Sequence, residues 1–246
     1  MATINNALNN TSPTSIANAT QIFTVSNSDD SGTSSASINI SVGGGATSGD
    51  PTMQFVVTGA NTWTMGIDNS TSDDSFVISK NTSLGTNNYH VIQADGFNRW
   101  PSQPSFLEIL SGNYTNRTGS GNTFTIGSGT VALTEIFDKG NNFTGNTFTC
   151  PTGGRMMLYG SAQLTDCTIN TGILIRIFTS NRNYEKTIVR PASNTNISIN
   201  LSALCDFDAA DQSVLQIIGY GEASATDDVV GGTATVVTSF SGYLVG

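Results

Sequence analysis

The chain has 246 residues, of which 37% are hydrophobic and only 11% charged, with 26 glycines. Its length and apolar share support a packed core in one large domain or two small ones, and exclude the sparse hydrophobicity and high charge of a disordered chain. A formal charge of −9 argues against nucleic acid, whose phosphates are held by clustered Lys and Arg, and against docking on anionic lipid.

No run approaches the ~20 apolar residues of a membrane span. The first ten residues, MATINNALNN, have neither the basic nor the apolar part of a secretion signal. The expectation is a product made in a cytoplasm that reaches any outside location another way. Of the three cysteines, Cys150, Cys167 and Cys205, any single pairing leaves one over, so they read as small buried hydrophobes. His90 is the sole histidine, which leaves a zinc site short of ligands.

Taken in order, residues 1–20 are Asn-, Ser-, Thr- and Ala-rich without a period, either a flexible leader or an arm that attaches to a larger particle. Residues 21–99 read as a thin β-rich module. Strands are expected at 21–27, 37–42, 53–57, 63–68, 76–78 and 89–92, separated by Gly, Asn, Asp and Ser turns. Each strand offers few inward side chains, so several chains packing together would supply the missing burial. Two prolines, Pro101 and Pro104, mark a stiff linker over 100–104.

From 105 to 246 the pattern is again short strands, expected at 105–111, 122–126, 131–137, 147–150, 156–164, 172–179, 184–189, 196–204, 213–220 and 238–245. Pro151 stops the strand before it, because proline has no donor for the ladder. In the last strand Phe240, Gly242 and Leu244 share one face, and Ser239, Ser241, Tyr243 and Val245 the other. The whole reads as all-β: a slender N-terminal β-meander followed by an antiparallel β-sandwich.

Phe137-Asp138, Phe143, Phe148-Thr-Cys-Pro151-Thr-Gly-Gly154, the Val229-Val-Gly-Gly232 step and the terminal Ser239-Phe-Ser-Gly-Tyr-Leu-Val-Gly246 follow one another in an order that resembles the trimeric jelly roll of complement globular heads and tumour necrosis factor ligands. The match covers about 101–246. One departure is that Gly154 is followed by Arg155-Met156-Met157-Leu158-Tyr159 rather than by the family's Gly-x-Tyr. A second stretch, Thr62-Trp-Thr-Met-Gly-Ile-Asp-Asn-Ser70 with Ser72-Asp-Asp-Ser-Phe-Val-Ile-Ser79 downstream, is similar to a module of bacteriophage tail and head fibre proteins, over about 28–99.

These resemblances imply a homotrimeric virion fibre whose distal head contacts the host surface. Its partners would be copies of itself, other virion proteins through the N-terminal arm, and a host glycan or envelope protein. Phe137, Phe148, Tyr159, Phe240 and Leu244 are the candidates for the trimer axis, and each could equally be monomer core. Loop aromatics, amides and cations at Tyr114, Asn116, Asn181, Arg182 and Tyr184 could stack on and hydrogen-bond a receptor. Asp206, Asp208, Asp211, Asp227 and Asp228 could hold a calcium ion, which favours several loop carboxylates, or simply serve as turn residues. No other cofactor is expected.

Catalysis has little to rest on. His90 lies mid-strand, no G-x-S-x-G elbow is present, and Glu108, Glu135, Glu185 and Glu222 are scattered. The expectation is a structural protein and not an enzyme. A capsid decoration protein is the alternative, and a polysaccharide-degrading fibre a second one.

Overall fold

The computed structural model describes residues 37–42, 49–70, 74–168, 170–190 and 196–245. The chain divides into two compact units, 1–42 and 43–246. In the first, the strand expected at 37–42 does not form: Ile38, Ile40 and Val42 are all exposed and carry no ladder. An alternating pattern specifies a face to bury, but a strand also needs a neighbour to receive its backbone bonds. The strand expected at 21–27 lies outside the described residues. Among the described residues all regular structure is β-strand.

The second unit opens with five strands: β1 (Thr52–Val56), β2 (Thr62–Asp68), β3 (Ser75–Ser79), β4 (Asn88–Ile92) and β5 (Asn98–Arg99). They form an antiparallel meander in chain order. One face buries Thr64, Asp68, Ser75, Val77, Ser79 and Val91. It is closed by the β3–β4 loop, where Leu84 packs on Val77 and Val91. Hydroxyls tie that loop down, Thr64 donating to the Asn81 carbonyl at 2.6 Å and Ser79 to that of Thr86 at 2.5 Å. The other face carries Met53, Phe55 and Trp63 and stays open to solvent, all three at least 37% exposed.

Thirteen further strands build a two-sheet sandwich. They are β6 (Ser105–Leu110), β7 (Tyr114–Thr118), β8 (Thr123–Thr125), β9 (Leu133–Lys139), β10 (Phe143–Thr144), β11 (Thr147–Thr149), β12 (Gly154–Thr165), β13 (Gly172–Thr179), β14 (Asn183–Val189), β15 (Asn196–Phe207), β16 (Gln212–Tyr220), β17 (Asp227–Val230) and β18 (Ser239–Leu244). One sheet runs β10-β11-β16-β13-β14 with β8 also on β16; the other runs β7-β17-β12-β18-β6-β9 with β15 also on β12. β15 pairs along the whole of β12, whose opposite edge is shared by β18 at Met156–Ser161 and β17 at Gln163–Thr165. Consecutive strands β12 to β16 change sheets repeatedly, as in a jelly roll.

The inward side chains fill the space between the sheets. Phe106, Phe148 and Phe240 sit at its centre, with the Phe106 and Phe148 rings stacked at 4.7 Å and the Phe106 and Phe240 rings edge-on at 5.1 Å. Gly242 lies beside them because a side chain there would run into Leu158 and Phe106. Cys150, Cys167 and Cys205 are free and buried, and burial pushes the Cys167 thiol up to about 12 and the Cys205 thiol to about 11.

Candidate functional site

Along β12 the alternation is strict. Met156, Leu158, Ala162 and Leu164 point into the core, while Met157, Tyr159 and Ser161 point out. The register sets neighbours on that outer face. Met157 lies between Leu204 of β15 and Tyr243 of β18, and one step along, Tyr159 lies beside Ser241, which continues to Leu107 of β6 and Phe137 of β9. Two adjacent rows of apolar and aromatic side chains result. Tyr159, Tyr243, Leu204 and Phe137 are each more than 40% exposed, although such residues normally seek cover. The Tyr159 and Tyr243 rings lie 6.3 Å apart and nearly parallel, at 22°. A hydrogen bond donated by the Tyr159 hydroxyl to Tyr243 holds the Tyr159 phenol above its ordinary pKa. Next to Tyr159 the face turns polar, with Ser161, Asn200, Ser202 and Ser239 around a hollow of about 330 Å³.

Of the five residues expected at a trimer axis, Tyr159 and Phe137 therefore stand on this exposed face. Phe148 and Phe240 do not: both are buried in the monomer core, Phe148 from the opposite sheet and Phe240 from the inward side of β18. Leu244 is half-buried against that core. Met157, Leu204, Leu107 and Tyr243 belong to the face and were not singled out from the sequence, though the alternation of the last strand already separated Tyr243 from Phe240.

The expected receptor residues do not converge. Tyr114 is a correction: it lies on β7, 1% exposed, with its hydroxyl accepting from the Val131 amide at 2.9 Å and its ring under Arg117. Asn116, at φ 54°, donates its amide to Asp228 at 2.7 Å, and Asp228 pairs with Thr165 at the far end of β12. Asn181 and Arg182 form the exposed β13–β14 turn, where the Asn181 amide donates to Asp211 at 2.7 Å. Tyr184 follows, half-buried against the core. That turn belongs to the other end of the sandwich, beside Asp206, which pairs with Arg155 at the start of β12.

The same separation undoes the calcium site. Asp206, Asp208 and Asp211 cluster near Gly154, and Asp227 and Asp228 pair near Thr165, eleven residues along β12. At about 3.3 Å per residue the two groups stand roughly 36 Å apart. Asp211 is committed to local bonds, from the Asp208 amide at 2.8 Å and from Asn181. Among the described residues no three His, Cys, Asp or Glu side chains are arranged to hold a metal.

Two carboxyls are unusual. Glu108 is 4% exposed, and burial, followed by the charges of Glu135 and Asp138, raises its pKa to about 7. Asp227 is 1% exposed, and burial, then the bond and charge of Glu222, raise its pKa to about 7. Glu222 accepts from the Thr168 amide at 2.6 Å, and Glu185 is paired with Arg176 at 2.6 Å. His90 bonds through Nε2 to Asn98 at 3.0 Å.

No family model and no curated protein matches the chain. Among solved structures, the globular domain of zebrafish complement 1qA protein is similar at 13% identity and a TM-score of 0.39, over 58% of this chain and 98% of that one. Murine APRIL is similar at 11% identity and a TM-score of 0.41 at pH 5.0, and at 12% identity and 0.41 at pH 8.0, each over 58% of this chain and 99% of the other.

Proposed function

We propose that this chain is the subunit of a homotrimeric bacteriophage fibre, joined to the particle through its N-terminal arm and presenting the sandwich as a head that attaches to the host surface. The observation that carries this reading is the exposed aromatic face of Tyr159, Tyr243, Leu204 and Phe137 on one regular sheet. Apolar surface of that kind drives self-association when a like surface can cover it. At −9 per chain assembly gains nothing from net charge, so burial of this face supplies the driving force. The open face of β1 and β2 adds a second uncovered apolar surface in the same chain. Function then follows from number: weak contacts at three heads per fibre and many fibres per particle combine into firm attachment. The chain acts by binding and not by catalysis.

The test is to image particles from the culture that encodes the chain, labelled with an antibody against residues 105–246. Label at the tail is the expected result. Label spread over the capsid facets would replace this reading with a decoration protein, and unlabelled particles would remove the chain from the virion altogether.

A further inference from the structure

We propose that the chain binds a neutral saccharide in a cleft where the five-stranded sheet, the proline linker and the C-terminal strand meet. The cleft has a volume of about 560 Å³ and is lined by Tyr89, Trp100, Gln103, Thr152 and Leu244, among others. That volume falls within the roughly 300–1,000 Å³ of small-ligand sites. This inference deepens the host-attachment reading and rests on it for its biological context.

The aromatic wall is built, not incidental. At β4 the register slips between Ile78 and Ser79, so that Tyr89 is an extra residue between the pairs Ile78–His90 and Ser79–Asn88. Such bulges re-aim side chains, and here Tyr89 meets the edge of Trp63 at 5.0 Å. His90, held by Asn98, stacks under Trp100 at 4.2 Å and 5°. One indole face is thus occupied by a fixed ring while Trp100 as a whole is still 58% exposed, leaving its other face for a ligand. A flat aromatic surface with a preset orientation matches the C–H face of a sugar ring.

The polar groups around it are uncharged and already oriented. The Gln103 amide donates to the Leu244 carbonyl, which leaves its Oε1 as an acceptor. Ser102 donates to the Asn88 carbonyl at 2.9 Å, keeping its lone pairs for a ligand hydroxyl. Among the described residues no charged side chain lines the cleft, which gives an anionic sugar no counter-charge and a cation no carboxylate side chain. Hydroxyl-rich, uncharged and flat-faced describes a neutral saccharide.

The experiment applies the full-length chain to a printed array of neutral and acidic glycans, with the mass of each sample measured by light scattering. Binding to neutral glycans is expected, weakened roughly tenfold by Trp100→Ala, in line with about 1.5 kcal/mol for a lost aromatic contact. Gln103→Ala should weaken it too. In Trp63→Phe, Trp100 is the only indole left, and its emission should shift on titration with the best neutral glycan. No glycan bound, only acidic glycans bound, or wild-type binding by Trp100→Ala would each overturn the proposal. A trimeric mass without glycan binding removes the cleft and leaves the fibre; a monomeric mass with binding lost in Trp100→Ala does the reverse.

Discussion

The sandwich and the five-stranded sheet are built from the same kinds of residues and differ in how much they can bury. Between its two sheets the sandwich packs a continuous core that includes Phe106, Phe148, Phe240, Met156, Leu158 and Ile175, all at 1% exposure or less. The meander has only a loop to close one face, and its core is Val77, Leu84 and Val91. A single sheet with one small covered side is marginal by itself, whereas two facing sheets supply each other's cover. Stability in this chain is therefore concentrated in residues after 104, and the meander relies on its surroundings.

The largest effect is expected from Phe148→Ala. Removing a fully buried ring should cost about 3–5 kcal/mol, and urea unfolding should show the sandwich collapsing at much lower denaturant. If the midpoint hardly moves, the aromatic centre does not hold the fold. Leu84→Ala, by contrast, should cost about 2 kcal/mol, the low end for such a truncation, because its apolar cluster holds only Val77 and Val91 besides itself. Its effect should fall on hydrogen exchange of the meander amides and leave those of β12 and β16 protected.

A third prediction concerns the two raised carboxyls. Glu108 and Asp227 bind their protons more tightly folded than unfolded. From about pH 4 to about 7 the folded chain therefore holds more protons, and stability falls as pH rises through that window, levelling off above it. Glu108→Gln should flatten part of this slope and raise stability at pH 8 by on the order of 1–3 kcal/mol. Melting curves across pH 4–8 check it, and an unchanged slope would contradict the burial argument. Smallest of all, Arg176→Ala should cost less than about 1 kcal/mol, since its partner Glu185 is exposed at the surface.

Much of the fold was legible because period-two alternation and turn residues bound each long strand. The expected 172–179 strand is β13, and 156–164 falls inside β12. The omissions, β5, β7, β10 and β17, are short strands, and all but β10 contain Asn or Asp, residues that read as turns until a neighbouring strand takes up their backbone groups. The strand expected at 37–42 failed for the converse reason, a pattern with no pairing strand among the described residues. The site was harder to read. Alternation separates Met156 and Leu158 from Met157 and Tyr159, yet an aromatic such as Phe148 looks the same whether its cover comes from its own chain or another. Distances across the fold were also invisible: Asp211 and Asp227 are near in sequence and stand at opposite ends of the sandwich.

Self-association through the Tyr159–Tyr243 face is open to a direct check, light scattering on the purified chain at micromolar concentration. The expected mass is three times the 25.7 kDa of the single chain, falling to one chain in Tyr159→Asp without loss of β-structure. A single-chain mass for the unmodified protein would contradict it.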